Sequence, residues 1–144
     1  MMLVVLACCA LVIATTVLHY EVLGWLNSGL AALAMPPRAK LVVVILVMFL
    51  AHAAEIALYG ASLYMLVVWG GVGSVVSSTA FTLSHAMYFS AETFTSLGFG
   101  DLTPVGPIRM LVGVEALNGL LLIGWSASFT YLSMERFWQQ RPGG

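Results

Sequence analysis

The sequence predicts an all-α membrane protein with three transmembrane helices and a shorter re-entrant helix between the second and third. Three observations carry that class. Of 144 residues, 61% are hydrophobic and 8% charged, with a mean hydropathy of +1.02. A soluble chain carries about 25% charged residues, so this one lacks the groups to keep its surface in water. Three apolar stretches exceed the ~20 residues that a helix needs to cross a bilayer. A fourth is too short to cross and runs into a glycine-containing turn, which reads as re-entrant. The net charge of −1 supplies no basic face and no charged tail, which argues against nucleic acid as a partner.

The first span covers about residues 2–25 and is broken only by His19, Tyr20 and Glu21. Met1 and Met2 lead straight into apolar residues without a basic region, so a retained span is expected rather than a secretory leader. The adjacent Cys8 and Cys9 cannot easily form a strain-free disulfide and read as small apolar residues. A weaker piece, 26–35, is expected to break at Asn27, Ser28 and Gly29, and Pro36 and Pro37 end it because neither can donate a helix hydrogen bond. This divides the chain into 1–37, an N-terminal helix with a short cytoplasmic-side connection, and 38–144. Within the latter, an outer helix is expected over 40–69, a short helix over 82–95 and an inner helix over 107–136, with a glycine-rich loop from Gly70 to Ser74. Trp69 and Trp138 fall where interfacial anchors belong.

Orientation follows from the basic residues. Arg38 and Lys40 precede the second span, Arg136 and Arg141 follow the third, and a re-entrant segment returns the chain to its starting side. The positive-inside rule makes that side cytoplasmic and puts the N-terminus outside, with Arg109 alone on the far side.

The turn after the short helix reads Thr95, Ser96, Leu97, Gly98, Phe99, Gly100, Asp101. Irregular backbone at membrane depth is tolerated only where protein or a water-filled cavity surrounds it. Glycines alternating with bulky residues allow successive carbonyls to face one axis, because glycine reaches positive φ cheaply. Rings of such carbonyls replace the hydration shell of a potassium ion. One strand cannot surround an ion, so four copies are expected. The C-terminal end of the short helix near Phe94 would aim its negative dipole at a cation.

Residues 88–105 resemble the pore region of the bacterial two-transmembrane, pore-loop potassium channels. The family's Thr-Val-Gly-Tyr-Gly-Asp pattern, with a further threonine before it, matches residues 95 to 101 position by position, and Leu102, Thr103, Pro104 and Val105 continue it. The resemblance covers roughly 40–136. It implies a tetrameric pore with Thr95, Ser96, Leu97, Gly98, Phe99 and Gly100 as the filter. It also implies a pore-helix carboxylate, Glu92, paired with Asp101, and a gating hinge at Gly119. The first helix lies outside the family's simple pattern. Ser96, Leu97 and Phe99 depart from it: each removes a methyl, a packing shape or a hydroxyl that braces the filter, which loosens potassium-over-sodium selection.

Ionisable residues within spans are functional candidates, since each costs about 2.5–3.5 kcal/mol to insert. His52 and Glu55 share one helical face, as do Glu115 and Asn118. His52 and Glu55 read either as a proton sensor or as a hydrogen-bonded link to the first helix through His19 or Tyr20. A metal site would need His19, Glu21, His52 and Glu55 to converge, and HxxE spacing alone is thin support. Glu115 and Asn118 read either as cavity-lining groups or as contacts to the pore helix. His85 reads as an interfacial or capping residue. Gly113, Gly119 and Gly124 permit close packing or, at Gly119, bending. No arginine ladder appears, which argues against voltage sensing.

The expected function is a passive, non-enzymatic cation channel in the bacterial inner membrane. It is expected to be homotetrameric, lipid-embedded and potassium-selective, with sodium as the competing ion and no cofactor or metal beyond permeant K+. A weakly selective channel is the alternative. A membrane metal- or haem-binding protein, or a non-conducting sensor using the intramembrane His and Glu residues, is the alternative of another class.

Overall fold

The computed structural model describes residues 1–32, 34–77 and 79–139. The chain runs α1 (Met2–Ala32), α2 (Pro37–Val68), β1 (Ser74–Val76), α3 (Leu83–Phe94), β2 (Thr103–Val105) and α4 (Ile108–Gln139). Helices α1, α2 and α4 are each long and apolar enough to cross a membrane, and α3 is the shorter helix between the last two.

Local chemistry sets the helix ends. Pro36 is extended, with φ −64° and ψ 148°, and Pro37 occupies the first turn of α2, where its missing N–H costs nothing. The outer helix therefore starts at Pro37 rather than 40 and ends at Val68. Thr82 caps α3: its hydroxyl accepts from the His85 N–H at 3.3 Å, and the His85 ring nitrogen Nδ1 accepts from the Thr82 N–H at 3.3 Å. This is a capping box with histidine in place of the usual Glu or Gln. Helix α3 is one residue shorter than expected at each end, and α4 starts at Ile108 and continues past 136 to Gln139.

Two expectations need correction. The break at Asn27, Ser28 and Gly29 does not occur, and α1 runs on to Ala32. The Ser28 hydroxyl turns back to the Gly24 carbonyl at 3.0 Å, which satisfies it inside the helix. Asn27 is used across the bundle, accepting from the Arg136 guanidinium at 2.8 Å. The glycine-rich loop, in turn, feeds a strand. β1 and β2 pair antiparallel, with Ser74 opposite Val105 and Val76 opposite Thr103, and so tie together the two connections that flank α3. Gly73 is required there: its φ is +84°, and a Cβ would come within 2.5 Å of the Val105 carbonyl oxygen. Arg141, used above for orientation, lies outside the described residues.

One core joins all four helices. Val4, Cys8 and Leu11 of α1 are buried with Tyr59 and Leu63 of α2, Phe89 and Phe94 of α3, and Ile108, Leu111 and Leu122 of α4. A second cluster packs Leu23, Leu26 and Leu30 of α1 on Val44 and Met48 of α2. The first helix is thus part of the same packed unit as the re-entrant segment. Large apolar side chains remain on the outside, among them Leu117, Leu120 and Leu121 of α4. A lipid or protein surround suits such a surface and water does not.

Candidate functional site

The segment after α3 has the backbone that a carbonyl-lined path requires. Ser96, Gly98 and Gly100 have φ of 57°, 55° and 82°, while Leu97 and Phe99 between them stay at negative φ. Alternation of left- and right-handed residues turns successive carbonyls to one side of the strand. The two glycines take this conformation freely. For Ser96 it costs roughly 1–2 kcal/mol, so the surroundings must hold it. They do: the Ser96 N–H donates to the Thr93 carbonyl at 2.9 Å and the Leu97 N–H to the Glu92 carbonyl at 2.8 Å.

Glu92 is buried behind this strand and its Oε2 accepts from the Phe99 N–H at 3.0 Å. One residue therefore grips the strand near its start by its carbonyl and near its middle by its carboxylate. The pairing of Glu92 with Asp101 implied by the family pattern is not formed. Asp101 is exposed, and Tyr88 faces it instead. Partial desolvation, the charges of Asp101 and Glu92, and a hydrogen bond to Asp101 raise the Tyr88 phenol above its ordinary pKa. The Tyr88 ring also stacks parallel on Phe99, centroids 6.3 Å apart. A neighbouring aromatic thus supports Phe99, which has no hydroxyl of its own for bracing. Leu97 and Phe99 are 60% and 65% exposed in the single chain.

The inner helix α4 reaches the back of this loop through two residues. Glu115 is buried and hydrogen-bonds the Ser90 hydroxyl of α3, which also lies 2.8 Å from the Ile56 carbonyl of α2. Of the two readings for Glu115, the geometry is that of a pore-helix contact. Asn118 points elsewhere: its amide donates to Thr15 Oγ1 of α1 at 2.8 Å and to the Tyr59 hydroxyl of α2 at 3.1 Å. Gly119 abuts the end of α3 so closely that a Cβ would lie 2.1 Å from the Phe94 carbonyl oxygen. Close packing accounts for glycine there. Gly113 and Gly124 have nothing within 4 Å of a built Cβ, so they pack on nothing within the described chain.

The remaining candidates assemble into a ring. His19 Nδ1 lies 2.8 Å from Glu55 Oε1, and His52 Nδ1 lies 2.8 Å from Glu55 Oε2. Ser126 Oγ of α4 closes it, 3.2 Å from His19 Nε2 and 2.9 Å from His52 Nε2. His19 and Glu55 are fully buried. Glu21 is exposed and takes no part. Four contacts need four hydrogens, whereas one hydroxyl and two neutral imidazoles supply three. Sequence reasoning missed Ser126, Ser90 and the Asn118–Thr15–Tyr59 link. Their signal was small polar residues at helical spacing, with Glu115, Asn118, Leu122 and Ser126 lining one buried face of α4.

A re-entrant helix and a strand of aligned carbonyls between two spans define a pore-loop membrane protein. Comparison with known proteins agrees: the family model described as "Ion channel" matches residues 41–135, about two thirds of the chain. The chain belongs to this ion channel family. It is similar to the inward rectifier potassium channel Kirbac3.1 of Paramagnetospirillum magnetotacticum, with 38% identity over 56 residues. Those residues are 38% of this chain and 19% of that protein, so the chain matches less than a fifth of its relative's length. No solved structure matches the chain.

Proposed function

We propose that the protein is a passive, potassium-selective cation channel formed by four copies of the chain. The observation that carries this reading is the alternation of φ at Ser96, Gly98 and Gly100 in a strand gripped from behind by Glu92. Such a strand offers its carbonyls to one side, and a potassium ion is coordinated by rings of carbonyls from four strands. The exposure of Leu97 and Phe99 fits the same assembly, since neighbouring copies would cover both. Phe94 at the end of α3 brings a negative helix dipole to the inner end of the filter. With Arg38, Lys40 and Arg136 in the cytoplasm, the filter mouth and Asp101 face outward across a bacterial inner membrane. Gly119, packed on Phe94, couples any movement of α4 directly to the base of the filter.

A weakly selective channel is the second reading. Ser96, Leu97 and Phe99 each soften the bracing, although the Tyr88 stack on Phe99 restores part of it. Purified protein in liposomes under a potassium gradient tests both. Potassium flux blocked by barium, with little sodium flux, is expected. Equal potassium and sodium flux would favour the second reading, and no flux of either would overturn both.

A further inference from the structure

Inside three apolar spans, two imidazoles from different helices present the same nitrogen to one carboxylate. The ligand atoms of His19, His52 and Glu55 lie within 4.8 Å of one another. Their outer nitrogens converge on a single hydroxyl, Ser126 Oγ. We propose that His19, His52 and Glu55 hold a divalent transition-metal ion of the zinc class, which fastens α1 to the helices around the re-entrant loop.

The donor set suits such an ion. Zinc takes imidazole nitrogen and carboxylate oxygen at about 2.0–2.2 Å, and open sites hold it with three protein ligands plus a water. Nitrogen donors select it over the hard cations that prefer oxygen cages. The Nδ1 atoms and carboxylate oxygens now sit at hydrogen-bond separation, so admitting an ion asks for outward shifts on the order of half an ångström.

Hydrogen counting supports the same reading. An ion bound at both Nδ1 atoms replaces the two hydrogens that face Glu55, and each ring then carries its hydrogen on Nε2. Both rings donate to Ser126 Oγ, which accepts with its two lone pairs. The serine hydrogen then needs a third partner, and Met48 Sδ already lies 3.5 Å away. The metal-free ring has no use for that contact. In charge terms, a divalent ion held by one carboxylate and two neutral imidazoles leaves the site singly positive. The C-terminal end of α3 adjoins it, with the Phe94 ring 5.7 Å from the His52 ring, and a helix C-terminus favours positive charge. The serine on the far side of both rings is the kind of outer support that fixes ligating histidines.

There is also a way in. His52 is partly exposed, and it lines a cavity of about 220 Å³ beside Phe49, Phe94 and Thr95. A second cavity, about 290 Å³, reaches His52 and Ser126 between α2 and α4. A water drawn from either fills the fourth coordination position.

The test uses the purified full chain in detergent, stripped with a chelator and titrated with Co²⁺ in potassium buffer. One Co²⁺ per chain is expected, with the intense visible bands of a four-coordinate site, displaced by one equivalent of Zn²⁺. The bands should vanish in His52→Gln and Glu55→Gln, persist in His85→Ala, and need 10- to 100-fold more Co²⁺ in Ser126→Ala. Wild-type protein that shows no such bands overturns the proposal whatever the variants do, and leaves a purely hydrogen-bonded ring. Bands that survive in folded His52→Gln overturn it equally. Neither readout depends on conduction, so the site stands or falls separately from the channel reading.

Discussion

The filter strand and the ring of His19, Glu55, His52 and Ser126 lie on either side of Phe94, yet they are built on opposite terms. The ring is complete within one chain: every buried side-chain nitrogen and oxygen among the described residues has a partner. The strand is half a site. Its backbone is strained at Ser96, and its side chains Leu97 and Phe99 stand exposed in the single chain. Polar groups inside a membrane must be satisfied by protein, by water or by an ion. The ring satisfies its own, and in the proposed channel the strand leaves its carbonyls for a permeating cation. Damage to the first should therefore appear as lost stability of the chain, and damage to the second as lost conduction.

The largest effect should come from the ring. Glu55→Ala strands two imidazoles that shared one carboxylate, and removing one member of a buried pair costs about 3–5 kcal/mol. Thermal unfolding in detergent should show a large drop in midpoint, whereas an unchanged midpoint would mean that the ring does not hold α1 in place. Gly119→Ala is next. Its Cβ would meet the Phe94 carbonyl at 2.1 Å, and the forced separation of α3 and α4 should cost about 1–3 kcal/mol. That variant should lose both stability and flux, because it touches both regions. If it keeps full flux, the close contact is dispensable and the hinge reading of Gly119 gains ground.

Gly98→Ala isolates the strand. Alanine at φ 55° costs about 1–2 kcal/mol per chain, so potassium flux should fall steeply while the melting midpoint of the helices stays within a few degrees. The smallest effect should separate Glu92→Gln from Glu92→Ala. Glutamine still offers an oxygen to the Phe99 N–H, whereas alanine removes an acceptor whose hydrogen bond is worth about 0.5–1.5 kcal/mol. Flux assays should find glutamine close to wild type and alanine raised in relative sodium permeability. Equal behaviour of the two would place the bracing of the strand elsewhere, with Tyr88 the next residue to change.

Legibility differed in the same way between the two regions. The filter could be read from sequence because its chemistry is local: glycine spacing encodes φ directly. The ring spans 107 residues between His19 and Ser126, and no local spacing announces which serine among several will face two histidines. His52 and Glu55 were visible as a pair on one face, and a link to His19 was one of the two readings. Glu21 was wrongly grouped with them because sequence proximity to His19 says nothing about helix face: two residues along a helix turn the side chain about 200° away. The small sheet between Ser74–Val76 and Thr103–Val105 was missed for a related reason. Strands of three residues carry no period, and only their pairing across the re-entrant segment stabilises them.

By itself the sequence determined that the chain is membrane-embedded, that three helices span and one does not, and which residues can adopt the filter backbone. Those properties depend on hydropathy, length and the freedom of glycine, all of which belong to short stretches of chain. Tertiary structure alone decided that Glu92 holds the Phe99 N–H rather than Asp101, that Asn118 turns toward α1, and that Gly119 is small because Phe94 leaves it no room. It also decided that His19, His52 and Glu55, from two different helices, meet at one point. The reason is that each of these depends on how helices rotate and approach one another. That is set by packing the whole core at once, and no segment carries it alone.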